Sequence, residues 1–600
     1  MQNLAQRRAS NSPRIVDAGS TFPDESADHL LEPSPRERPL VGALIDHLAA
    51  LGIEEAFGVS GGSIALLYDA VANSSVRLRH FRHETGAAFA ATEAYFASGK
   101  PTLCFATTGP GLLNTLTGIT AAKWEGAKVV LISGHTSSPQ RGRWASQETS
   151  SYTMPQDALY TAGPLFDFAA RLESAAELPE VLRRVTTGLA RPGGFVAHVC
   201  LPMSVQSARV TLPLKRPYLR VSVPTAPADE VADCARLLKS GPFAVWVGFG
   251  ATEAAPLVRE LIDRTGVKAF CSPRAKGIVS EKHPSYLGVS GLGGHDAVSD
   301  YMVQEKPDWV LVLGSRLGEA TSFWDRDLLP RQGFLHVDLD ASVPGTAYPD
   351  FPTQAVHADI GSFLTDLLAH FPPERSRAIG LRKVLSFEES VPLRLSGRGP
   401  VRPQMLMAAL QRHVVERTDA FLLAECGNSF AWCNHYLRFD EPGRYRVSTL
   451  FGSMGHSASG VVGAALASGR KAFAVVGDGA MLMNSEVSSA AQYQAKAVWI
   501  VLNDAGYGMC RDGQRMLGLS GASIEFPQVD FVDWSRAQGA DGVRVETEDM
   551  LELALEAALA AEGPFVIDVR VDPNEPSPLL KRFESLIQQG NSKNVAGWER

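Results

Sequence analysis

Six hundred residues exceed what one hydrophobic core organises, so the chain is read as three or four domains. Hydrophobic content of 45%, charged content of 20% and a net charge of -8 are ordinary for a globular protein and give no reason to expect nucleic acid or an anionic membrane as partner. The 7 cysteines are scattered and form no CxxC pair, which argues against a zinc site or a disulfide framework and fits reduced thiols in a cytoplasmic setting.

Residues 1–39 are polar and rich in Pro, Ser and charge, and read as a disordered extension. The pair Arg7-Arg8 has no apolar stretch behind it, so no secretory signal is expected. No run reaches the roughly 20 apolar residues a membrane span needs. Over 40–207, aliphatic strands alternate with helical patterns. "EEAFG" is a strand leading to the turn Gly61-Gly62, and "SIALLYDAVAN" a helix. "VRLRHFRHE" is a strand ending at Glu84, "TGAAFAATEAYFASG" a helix, and "PTLCFATTGPG" and "AKVVLISG" are further strands. The stretch "VQSARVTLPLKRP" over 205–217 reads as a linker.

The block 219–372 repeats the pattern with "PFAVWVGFGA", "VKAFCSP", "DWVLVLGS" and "FLHVDLD". A charged stretch rich in Pro and Gly between Pro372 and Pro403 marks a second boundary. The block 400–576 runs from "AFLLAECGNS" to "PFVIDVRVD", and 577–600 is a tail, helical and then polar. The alternation predicts an α/β chain of three doubly wound parallel-sheet domains, whose strands are covered by helices on both faces.

Within the third block, "AFAVVGD" reads as a strand, "NSEVSSAAQYQ" as a helix and "VWIVLND" as the next strand. A right-handed crossover carries Asp478 and Asp504 to the same sheet edge, where open α/β sheets bind ligands. Two carboxylates there, with few cations nearby in the sequence, invite Mg²⁺, which takes one or two carboxylates and completes its shell with phosphate oxygens and water. Gly477 and Gly479 let the backbone approach a bound group closely. The "GYGM" that follows Asp504 offers a carbonyl and a further small residue. The order strand, GDG, helix, strand, ND therefore predicts a metal–diphosphate site.

"GDGAMLMN…VLNDAGYGM" resembles the signature of the thiamin diphosphate enzymes, particularly the acetolactate synthase-like branch, and the similarity covers nearly the whole chain after residue 39. The resemblance implies a pyrimidine-binding (PYR) domain at 40–207, a central domain at 219–372 and a diphosphate-binding (PP) domain at 400–576. It implies Asp478, Asp504 and the Gly506 carbonyl as Mg²⁺ ligands, with Asp504 standing where Asn is more frequent. It assigns cofactor contacts to Gly427, Asn428 and Ser429 of "ECGNSF" and to Ser453 and Met454 of "LFGSMGHSASG". Gly477, Gly479, Ala480, Tyr507, Gly508 and Met509 are assigned in the same way.

Glu84 in "RHETGAAF" matches the family's activating glutamate, whose carboxyl acts on the aminopyrimidine ring so that the thiazolium C2 proton can leave. Gly61, Gly62 and Gln147 match positions facing the cofactor or the substrate, Gln147 being carried over as catalytic. In the family the PYR and PP halves of one site come from different subunits, which implies a homodimer or a dimer of dimers.

Three positions depart from the acetolactate synthase pattern: Ser146 replaces a Phe, Met203 a Lys and Gly513 a Trp. A roomier, less anion-selective pocket follows, suited to bulkier 2-oxo acids. The resemblance leaves FAD open, since "LGSRLGEATSFWD" keeps Arg316 but not the family's "RFDDR" run. The implied reaction is decarboxylation of a 2-oxo acid with ligation to a second carbonyl. A simple decarboxylase, a 2-hydroxyacyl-CoA lyase-like enzyme and a non-catalytic scaffold are the alternatives. The family's aldehyde-releasing decarboxylases usually carry two adjacent histidines, a pair not found here.

Overall fold

A computed structural model describes residues 36–150, 152, 159–212, 221–372 and 399–590. Three six-stranded sheets organise them, and all pairings within these sheets are parallel. The first sheet runs, in spatial order, Arg77–His80, Glu55–Gly58, Thr102–Ala106, Lys128–His135, Phe195–Pro202 and Phe168–Arg171. The third has the same winding: Tyr445–Val447, Phe421–Ala424, Ala472–Gly477, Ala497–Asn503, Phe565–Arg570, Asp541–Val545. The central sheet is wound differently, as Tyr286–Val289, Lys268–Cys271, Phe243–Val247, Trp309–Leu313, Gly333–Asp338, Thr353–His357. Inner strands such as Ala497–Asn503 are buried along their whole length, because helices cover both faces.

Several sequence expectations change in detail. Residues 1–35 of the expected extension lie outside the described residues, but Arg36–Pro39 is a strand paired antiparallel with Arg209–Leu212. That partner strand lies within what reads as linker in the sequence, and the short helix Met203–Gln206 before it runs into the linker's first two residues. The alternation in "RVTL" buries Val210 and supports the pairing. The rest of the linker from 213, the stretch 373–398 and the end of the tail from 591 lie outside the described residues. The single helix expected between Asp478 and Asp504 is two short ones, Asp478–Met483 and Val487–Gln492. Between them Glu486 adopts φ 53°, a left-handed conformation that breaks the helix.

The helices Glu84–Ser98 and His456–Ser468 pack face to face and join the first and third blocks. Small residues allow the approach: a Cβ on Gly463 would stand 2.0 Å from the Ala90 carbonyl oxygen, and one on Gly460 2.7 Å from Glu93 Cγ. Buried charge locks the same junction. Glu93 accepts from Arg446 at 2.9 and 3.0 Å and lies 2.9 Å from His456 Nε2. The Arg446 guanidinium stacks on Phe96 at 3.6 Å. Arg274 of the central block bridges Glu125 at 2.9 Å and covers Phe249 at 4.0 Å, while Ser448 of the third block donates to Glu125 at 2.9 Å. All three blocks contribute to this one network.

Candidate active site

Two clusters of the expected residues form at the carboxyl ends of the first and third sheets, each at the point where the strand order reverses. In the first sheet, Glu84 opens the helix Glu84–Ser98 and His83 caps it, its ring nitrogen accepting from Thr85 N. Asn114 Nδ2 donates to Glu84 Oε2 at 3.1 Å. A Cβ on Gly111 would stand 3.2 Å from Glu84 Oε1 and 2.3 Å from Thr107 Oγ1, so only glycine lets this helix end approach the carboxylate. Gly61 faces Thr107 as closely, with 2.3 Å from its would-be Cβ to Thr107 Cγ2. Gly109 backs onto the carbonyl of Gln147, which takes φ 61° on an exposed loop. Gly62 is exposed, with open space around it.

Glu486 of the third block reaches this cluster. Its carboxylate accepts the backbone N–H groups of Arg82 at 3.0 Å and His83 at 2.9 Å, the two residues before Glu84. Sequence reading gives Glu486 no role.

In the third sheet a cavity of about 310 Å³ opens above the strand tips. Asp478 and Gly479 line it just past the end of the strand Ala472–Gly477, and Asp504, Gly506 and Tyr507 just past the end of Ala497–Asn503. Gly477, Ala480, Gly508 and Met509 also border it, and Gly427, Asn428 and Ser429 form another wall. Gly427 takes φ 100°, a conformation reserved for glycine, and a side chain there would project into open space. Met454 and Tyr507 converge on Gly479: a Cβ there would lie 3.5 Å from Met454 Cε and 2.7 Å from the Tyr507 ring. Ser453 does not line the cavity, and its hydroxyl is buried without a hydrogen-bond partner among the described residues.

Asp478 is 2% exposed. Its Oδ1 accepts from Gly479 N at 2.7 Å, while Oδ2 is buried without a partner of sound hydrogen-bond geometry. Burial, and then the charge of Asp504, push the Asp478 carboxyl up to about 7, against smaller opposing contributions from the backbone amides of Gly479, Ala505 and Gly506. Asp504 is also raised by burial, and the Arg511 guanidinium works against that rise. Arg511 corrects the expectation of few nearby cations: Nη1 donates to Asp504 Oδ2 at 2.6 Å. Asp512 lies across the cavity wall, accepting from Asn428 Nδ2 at 2.9 Å and from Ser577 Oγ at 2.6 Å. The orphaned Asp478 oxygen, the second carboxylate and the glycine-lined walls fit a divalent cation with a diphosphate.

Glu84, Gly61, Gly62 and Gln147 do not line this cavity in the same chain. Of the three departures, Ser146 and Met203 are exposed, whereas Gly513 faces Phe583, whose ring lies 3.1 Å from a would-be Cβ. The tail helix Leu580–Gly590 thus brings an aromatic ring against the position where a Trp was expected.

Family models for thiamine pyrophosphate enzymes match three stretches: the N-terminal TPP binding domain at 40–154, the central domain at 232–367 and the C-terminal TPP binding domain at 425–569. The large subunit of Escherichia coli acetolactate synthase isozyme 1 is 26% identical over 89% of this chain and 94% of its own length. An acetolactate synthase of Mycobacterium bovis is 27% identical over 88% of this chain and 87% of its own. Among solved structures, the thiamine diphosphate-dependent 4-hydroxybenzoylformate decarboxylase of Rhodococcus jostii superposes with a TM-score of 0.77 over 90% of this chain and 100% of its own, at 22% identity. That likeness concerns the fold.

Proposed function

Because the chain belongs to the thiamine pyrophosphate enzymes, in their acetolactate synthase-like branch, we propose that it decarboxylates a 2-oxo acid and ligates the remaining fragment to a second carbonyl, using Mg²⁺ to hold the diphosphate. The observation that carries this reading is the pair of buried strand-tip carboxylates, Asp478 with its unpartnered oxygen and Asp504, on a glycine-walled cavity. Asp478, Asp504 and the Gly506 carbonyl would hold the cation, and Gly427, Asn428 and Ser429 would border the diphosphate. Met454 and Tyr507 would support the cofactor above Gly479. When bound, thiamin diphosphate would supply a carbon nucleophile at C2 and a thiazolium ring as the sink for the electron pair left behind as CO₂ departs.

Glu84 supplies the proton chemistry at the aminopyrimidine, and Asn114 fixes its carboxylate by donating to Oε2. Glu84 does not line the cavity of its own chain, which supports a homodimer or dimer of dimers in which it serves the partner's cavity. Gln147 would meet the substrate from the same side. Flavin is not assigned in this reading. Among the described residues no helix is long and apolar enough to cross a membrane.

The test is purified protein with thiamin diphosphate, Mg²⁺ and a panel of 2-oxo acids, singly and in pairs, with products read by mass spectrometry. Acyloin or acetohydroxyacid products are expected. Aldehydes alone would make it a simple decarboxylase, and a silent panel without cofactor binding would overturn the reading altogether.

A further inference from the structure

The two aspartates on the cavity wall are not held alike. Asp478 Oδ2 has no partner of sound hydrogen-bond geometry, whereas Asp504 Oδ2 receives Arg511 Nη1 at 2.6 Å. Nη2 of the same guanidinium donates to the Asp504 carbonyl at 3.2 Å. Arg511 comes from the first turn of the helix Gly508–Met516 and is 8% exposed. It lies across the turn after Asp504 so closely that a Cβ on Gly506 would stand 2.5 Å from Nη2. The cation is thus fixed at both the side chain and the backbone of the second aspartate. A guanidinium presents its N–H groups in one rigid plane, so it spans the side chain and the backbone together, as the point charge of an ammonium would not.

We propose that Arg511 is a positioning and charge-balancing residue of the metal site: it occupies one oxygen of Asp504, leaves the other for a cation, and, once both carboxylates are ionised, holds the aspartate pair at one net negative charge. A site with that charge retains a divalent ion only when an anionic diphosphate arrives with it. Without Arg511 the wall would carry two uncompensated negative charges at close range. Such a wall attracts a bare cation and repels diphosphate. The inference rests on the metal–diphosphate reading of the cavity.

The test uses Mn²⁺ followed by electron paramagnetic resonance, and inorganic pyrophosphate followed by calorimetry, on the cofactor-free full chain. In Arg511→Gln, Mn²⁺ alone should bind about tenfold tighter or more, and pyrophosphate without metal about tenfold weaker. In Asp504→Asn both shifts should reverse in sign. The double variant should return both affinities to about those of the wild type. Unchanged metal and pyrophosphate affinities in Arg511→Gln overturn the proposal. Should that variant fail to fold, Asp504→Asn decides: pyrophosphate binding no tighter than wild type overturns it. Wild-type protein that takes up no Mn²⁺ even with thiamin diphosphate would overturn the metal–diphosphate reading and this proposal together, whereas cofactor-dependent uptake without a shift in the variants removes Arg511 alone.

Discussion

Replacing Asp478 by asparagine should stabilise the cofactor-free protein at pH 8 while abolishing its ability to bind Mg²⁺ with diphosphate. Folding moves this carboxyl from its ordinary 3.8 up to about 7, by burial and by the charge of Asp504. Between those values the folded chain binds more protons than the unfolded one, so stability falls as pH rises through the window and stays low above it. At 1.36 kcal/mol for each unit, the ionised carboxylate costs the cofactor-free fold up to about 4 kcal/mol at pH 8. Asparagine cannot ionise and lacks this slope. Calorimetric melting at pH 5, 6, 7 and 8 should show the variant's advantage growing with pH and levelling near pH 8. With Mg²⁺ and thiamin diphosphate added, wild type should gain and the variant should not. An advantage of equal size at pH 5 and pH 8, or a variant less stable than wild type at pH 8, would refute the argument that burial and Asp504 hold Asp478 in this state.

Three other perturbations probe separate parts of the molecule. Glu84→Gln should lose on the order of 10²-fold or more in turnover with thiamin diphosphate affinity nearly unchanged, as read by steady-state kinetics and calorimetry. Glu93→Gln removes the negative charge and one of the two acceptor oxygens that Arg446 pairs with at the domain junction, leaving the buried guanidinium uncompensated, and a destabilisation of about 3–5 kcal/mol should lower the melting midpoint; replacing Arg446 by Met in the same chain should recover part of it. Gly463→Ala forces a methyl against the Ala90 carbonyl and should cost about 1–3 kcal/mol in the same assay, with Gly521→Ala, where nothing lies within 4 Å, as a near-neutral control.

The strands were legible because parallel strands buried on both faces read as unbroken aliphatic runs, and "AFAVVG" and "VWIVLN" end where the sheet ends. Asp478 and Asp504 could be read for the same reason, since each follows such a run directly. Arg511 could not, because its pairing depends on how the helix Gly508–Met516 folds back over the turn. A cation seven positions past a suspected metal ligand, just after the Gly-rich turn, is the signal that was there to be weighed. The contact of Glu93 with Arg446 spans 353 positions, and no local pattern encodes it. Glu486 escaped because its neighbours predict a continuous helix, whereas its backbone is left-handed and its carboxylate docks on Arg82 and His83, more than 400 positions away. Phe583 escaped because it reaches Gly513 from the tail helix, far along the chain.

The buried charges where the three blocks meet bear on how the chain can be divided. Cutting it at its boundaries would strand Glu93 and Glu125 on one fragment, Arg274 on another and Arg446 on a third, each exposing an ion shaped to be covered. Separately expressed pieces would therefore be poor autonomous folders, prone to aggregate, and recombining them would restore solubility only when all three are present.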